Sequence, residues 1–110
     1  MSLYVVSLTV PPQTSINKPV SEVLIPLDNH ITEISMMYPD GCLGTVGIRF
    51  LDYGAQFAPL PSGRWITGND NILRWRERRR LSGSPHRLII EGYSDALDYP
   101  HTIEIKMEIV

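Results

Sequence analysis

The segment Arg74-Trp75-Arg76-Glu77-Arg78-Arg79-Arg80 is the densest concentration of chemistry in the chain. Counted with Arg64, just upstream, it holds six of the ten cationic side chains. Arginine presents a planar fork of donors that grips phosphates or carboxylates in pairs, and arginines interleaved with an aromatic can also stack on nucleobases. The chain as a whole has twelve acids and a net charge of −2, so no global field draws it to nucleic acid or to an anionic membrane. Carboxylates, on this chain or on a neighbouring subunit, are therefore the expected partners. Arg64, Arg74, Arg76, Arg78, Arg79 and Arg80 are read as candidate interaction residues, with nucleic acid as the lesser alternative.

Other reactive side chains do not assemble into a centre. His30, His86 and His101 stand in three separate turn or strand-start positions, and no pair has metal-ligand spacing. Asp52, Asp70, Asp95 and Asp98 lie in loop-like stretches but form no calcium-loop pattern. Cys42 stands in the glycine-flanked turn Asp40-Gly41-Cys42-Leu43-Gly44. A nucleophilic cysteine needs a base beside it, and a small half-buried thiol is the expected role here. Phosphate-loop, dinucleotide and nucleophile-elbow motifs are absent from the sequence. No catalytic residues, cofactor or metal are expected. Trp65, Trp75, Tyr53, Tyr93 and Tyr99 could stack on sugar rings. Yet they do not share one strand face, so packing of both tryptophans is preferred and a carbohydrate- or ligand-binding module is the second functional reading.

The elements that must hold these residues are strands. In 101–110, Ile103, Ile105, Met107 and Ile109 fall on one parity and Thr102, Glu104, Lys106 and Glu108 on the other, which is a strand with one oily face. Similar alternation places Tyr4, Val6, Leu8 and Val10 together in 3–10. It also places Ile34, Met36 and Tyr38 together in 30–38, and Val46, Ile48 and Phe50 in 46–53. In 87–93, Leu88 and Ile90 oppose Ile89 and Tyr93, so this strand is apolar on both faces and expected to be central. Val23, Ile25 and Leu27 alternate with Glu22 and Leu24 in 20–27, where Pro26 implies an edge or a bulge. Asp28-Asn29 reads as the turn of a hairpin joining this strand to 30–38. A short strand is expected at 65–67 and another at 72–77, with a helical turn allowed over 75–81. Residues 54–63 read as irregular.

Seven or eight short strands in 110 residues make one all-β domain of two packed antiparallel sheets, jelly-roll-like first and immunoglobulin-like second. At this length roughly two thirds of the unfolded surface can be buried, so neither disulfide nor metal is needed. One cysteine cannot form an internal disulfide, and no apolar run is long enough to span a membrane. The opening residues enter a strand pattern without a basic leader, which points to a cytoplasm or an assembly built there. An open sandwich has edges that invite another chain. The 54–65 loop, braced by Pro59 and Pro61, offers Phe57, Leu60 and Trp65 as candidate docking anchors. Self-association or docking on a larger shell is therefore expected.

Several stretches carry a resemblance. They are Tyr38-Pro39-Asp40-Gly41-Cys42 with Val46-Gly47-Ile48-Arg49, then Trp65-Ile66-Thr67-Gly68-Asn69-Asp70, Leu88-Ile89-Ile90-Glu91-Gly92-Tyr93 and Tyr99-Pro100-His101-Thr102-Ile103. Over about two thirds of its length the chain resembles small β-sandwich proteins encoded beside structural genes in tailed bacteriophages and related viral genomes. The resemblance implies a place on a virion, assembled in the host cytoplasm, as a capsid decoration (cement) protein or a fibre component. It would act on capsid or other virion proteins. These are turn-and-strand motifs, so no residue roles are carried over.

Overall fold

The computed structural model describes residues 2–110. Its strands are β1 (Ser2–Val10), β2 (Val20–Leu24), β3 (His30–Tyr38), β4 (Val46–Asp52), β5 (Ala55–Ala58), β6 (Ile66–Thr67), β7 (Asn71–Arg80), β8 (Leu88–Ser94) and β9 (His101–Ile109). No helix occurs among the described residues. One sheet has the order β1-β9-β3-β7; the other runs β2-β8-β4-β5, with β6 also paired to β4. Apart from the β4–β5–β6 run, each successive strand crosses to the opposite sheet. That is jelly-roll order, with β5 and β6 sharing the position of one strand beside β4. The all-β, two-sheet sandwich expected from the alternation is what forms.

The oily faces meet between the sheets. Ile103, Ile105, Met107 and Ile109 of β9 are buried, as are Val46, Ile48 and Phe50 of β4 and Leu88 and Ile90 of β8. β9 sits between β1 and β3, pairing Ile105 with Val6 on one side and Met36 on the other. β8 is central in its own sheet, between β2 and β4. Each such side chain contributes about 1.5–3 kcal/mol on burial, and the strand pairing satisfies the backbone groups that burial would otherwise leave unpaired.

Four expectations are corrected. β2 and β3 do not form a hairpin: β2 pairs with β8, β3 with β7 and β9. Residues 25–29 cross from one sheet to the other, and the crossing is tied down by backbone bonds from Leu81 N–H to Asn29 and between His30 and Val110. β2 is an edge strand, as Pro26 implied, but it ends at Leu24 before that proline, and Val23, Ile25 and Leu27 are exposed, so the inward parity belongs to Val20 and Leu24. The helical turn allowed over 75–81 is strand as far as Arg80, because β7 pairs with β3 along its length. The 54–63 stretch is not wholly irregular, since β5 pairs with β4 through a bulge between Phe50 and Leu51. Phe57 faces inward against Phe50, with ring centroids 6.2 Å apart, and the bulge sets Ala58 opposite Phe50 too, so that both consecutive residues are buried.

A further irregularity explains Ile31. It lies three residues before Ile34, on the wrong parity, yet both are fully buried. The register of β3 shifts between Ile31 and Glu33 against both neighbours, and this bulge returns Ile31 to the core face.

Candidate interaction site

β7 is the free edge of its sheet, and β5 and β6 form the corresponding edge of the other. Between them the sandwich is open, and a groove of about 470 Å³ is lined by Phe57, Ala58, Leu60, Ile66, Leu73 and Trp75, with Arg74 and Glu77 at its rim. The alternation of β7 builds one wall: Leu73, Trp75, Glu77 and Arg79 face inward and half-buried, while Ile72, Arg74, Arg76, Arg78 and Arg80 are exposed. Trp75 packs edge-on against Phe50, centroids 6.1 Å apart, and its indole N–H donates to Glu77 Oε2 at 2.8 Å. The ring is thereby held with one side on the core and the other on the groove.

The opposite wall is held by a polar clamp on the outer face of the second sheet. Arg49 donates through Nε to Glu91 Oε1 at 2.7 Å, and its guanidinium lies over the Trp65 ring at 4.3 Å. Trp65 in turn packs on Tyr93, centroids 4.9 Å apart. Gly47 makes this possible: a Cβ there would stand 2.7 Å from the Tyr93 ring. Gln56 fastens the loop itself, donating from Nε2 to the carbonyls of Pro59 and Arg64 and accepting from Gly63 N–H. Leu60 is left projecting, 70% exposed, beside the groove.

Tyr38 fixes β6. Its buried phenol, reaching across from β3, donates to the Ile66 carbonyl, and its ring packs where a side chain on Gly68 would sit. Burial, with smaller contributions from Cys42 and Tyr93, pushes its pKa well above the ordinary 10.0. A phenol raised in this way contributes stability that is fully present below the unfolded value of about 10 and is lost as pH rises above it. The expected result is a flat unfolding midpoint up to that pH and a steep fall beyond it. Tyr38→Phe should flatten part of the fall. A denaturant titration across alkaline pH checks it.

The arginines divide. Arg79, on the inward parity, donates from Nη2 to the fully buried carboxylate of Asp52 at 2.9 Å and lies 5.5 Å from the Phe57 ring. It is an internal tie between the two sheets, which corrects its reading as a partner contact. Arg74 reaches Glu33 across the strand pair at 3.2 Å, both groups largely exposed, so this pair is worth little. Arg76, Arg78 and Arg80 make no ion pair among the described residues.

Of the loop anchors, Phe57 is corrected: it is 5% exposed and belongs to the core, showing only an edge to the groove. Trp65 is half-buried in the outer clamp, and Arg64 is exposed. The structure thus gathers Phe57, Leu60 and Arg74 at one site and adds Trp75, Leu73 and Ile66. The five aromatics weighed as a sugar platform are dispersed. Trp65 and Tyr93 are in the clamp, Trp75 is in the groove, Tyr53 bonds the Pro85 carbonyl, and Tyr99 stands exposed in a separate cleft with Asp98 and His101. Cys42 is buried, and burial followed by the Asp40 charge pushes its thiol up, away from the reactive thiolate. Among the described residues no group of three or more His, Cys, Asp or Glu side chains is placed to hold a metal.

No family model matches the sequence, and no curated protein matches it. Among solved structures the chain is similar to the crystal structure of the Yersinia pseudotuberculosis-derived mitogen (YPM), with a TM-score of 0.50 at 7% sequence identity, over 99% of this chain and 86% of that one. At that identity the likeness is one of fold: a β fold of comparable extent, built from almost entirely different side chains.

Proposed function

We propose that this domain is a non-enzymatic assembly module acting through protein–protein contacts, and that its specific setting is a tailed-phage particle, as a capsid decoration or fibre-associated protein. The observation that carries the reading is the apolar groove at the open β5–β7 edge, where Leu60 and Trp75 stand beside Arg74 at the rim and the exposed Arg76, Arg78 and Arg80 continue along β7 beyond it. Contiguous apolar surface with a polar rim is what interaction sites look like. β1 supports the same reading from the other edge: it ends its sheet and leaves Leu3 and Val5 exposed on a strand without charge. The phage setting rests on the sequence resemblance.

Sedimentation velocity at micromolar concentration, alone and mixed with purified phage heads, tests it. The expected result is self-association or co-sedimentation with the heads, and no co-sedimentation with random duplex DNA. A strict monomer that binds neither heads nor itself contradicts the proposal.

A further inference from the structure

We propose that the free edge of β7 accepts an extended peptide segment with alternating acidic and apolar side chains, which adds as a fifth strand beside β7 over residues 71–76. The inference rests on the assembly-module reading and names the chemistry of its partner.

The backbone supplies the first argument. β7 is hydrogen-bonded to β3 on one side only. Among the described residues no turn or loop backbone bonds to its other side. Alternate N–H and C=O groups along that side are therefore open, which is the template that strand addition uses. The register against β3 is unbroken from Asn71↔Tyr38 to Arg76↔Glu33, and the irregularity begins only beyond it. The regular stretch is thus long enough for a short peptide and ends where the strand twists away.

The side chains supply the second. A strand added about 4.8 Å from β7 lays one parity beside Leu73 and Trp75, over the groove lined by Phe57 and Ile66, with Leu60 projecting beside it. Those positions want apolar residues, and the groove's 470 Å³ lies within the usual range of ligand sites, about 300–1,000 Å³. The other parity stands beside Ile72, Arg74 and Arg76, with Arg78 and Arg80 following. Directly opposed cross-strand side chains sit about 5 Å apart at Cβ, where a carboxylate meets the guanidinium fork. Arg76 has no ion pair within the chain among the described residues, so its charge is free for a partner.

A second copy of this chain serves poorly. Antiparallel β7-to-β7 pairing opposes arginine to arginine, which is destabilising. The outward parity of β1 offers Leu3, Val5, Ser7 and Thr9, without an acid, and β2 offers only Glu22.

The test uses the intact protein and capped octapeptides alternating glutamate with leucine, followed by fluorescence anisotropy. Binding is expected, and Arg76→Glu, at an exposed position, should weaken it about tenfold. Lysine in place of glutamate should abolish it. N-methylation of one alternate set of peptide amides should abolish it, while methylation of the other set is tolerated. No binding, equal binding of the lysine peptide, or indifference to methylation of both sets overturns the proposal. Peptide failure with continued co-sedimentation of the protein with phage heads removes strand addition and leaves the assembly reading standing. Peptide binding without co-sedimentation or self-association does the reverse.

Discussion

Ile105→Asp abolishes the cooperative thermal transition: this is the largest effect the fold predicts. Ile105 is fully buried at the centre of β9, flanked by Val6 and Met36. The substitution removes about 1.5–3 kcal/mol of apolar burial and places a carboxylate among Ile103, Met107, Ile48 and their neighbours. No partner waits there, and an unpaired buried charge costs several kcal/mol more. The sum approaches the whole stability of an ordinary domain, about 5–15 kcal/mol. Ile105→Val, by contrast, should cost only about 0.5–1.5 kcal/mol. Circular dichroism melts of the two variants decide it. An aspartate variant that melts within a degree or two of the parent would mean that the register is wrong.

Arg79→Met is the second large effect, and its sign can be checked against a double variant. Asp52 Oδ2 accepts from Arg79 Nε at 3.3 Å and Nη2 at 2.9 Å, and from the N–H and hydroxyl of Ser82, each at 3.0 Å. Its Oδ1 is buried with no partner. The two charges are unequally placed: the Asp52 side chain is wholly buried, and that of Arg79 is 35% exposed. Removing the arginine strands a carboxylate that cannot reach water, which costs about 3–5 kcal/mol. Removing the acid instead leaves an arginine that can turn to solvent. Adding Asp52→Asn to Arg79→Met should therefore recover stability, since the stranded charge is gone. Denaturant midpoints of the two single variants and the double variant measure this. If the double variant is less stable than Arg79→Met alone, the ion pair does not work in this way.

Arg79 also marks what was legible in the chain. Its parity with Leu73 and Trp75 places it on the inner face of β7, and an arginine on an inner face needs a buried acid. That signal was present, but the partner is distant in sequence, and nothing in the alternation points to Asp52. Strand faces read well for the same physical reason: a period of two follows from local geometry, and it correctly assigned Ile103, Ile48 and Leu88. Strand partners read badly. The Asp28-Asn29 turn serves a hairpin and a sheet-to-sheet crossing alike, and only the docking of β2 on β8 decides between them. Ile31 is hidden by a bulge, which changes a face without a distinctive residue, and Phe57 by the shortness of β5, whose four residues carry no clear alternation. The groove is a consequence of where two edges end, so it could not be read before the strand order was known. Leu60 and Arg74 were nonetheless picked out, as an exposed anchor and an exposed charge.

The central claim is that association runs through the β5–β7 edge. Hydrogen–deuterium exchange at single-residue resolution, comparing free protein with the protein in its assembly, tests it most directly. The free β7 edge should exchange readily at alternate amides over 72–76 and become protected on assembly, together with the amides around Leu60. The β1 and β2 edges should change less. Protection confined to β1 or β2, with 72–76 and Leu60 exchanging as fast as in the free protein, would contradict the account.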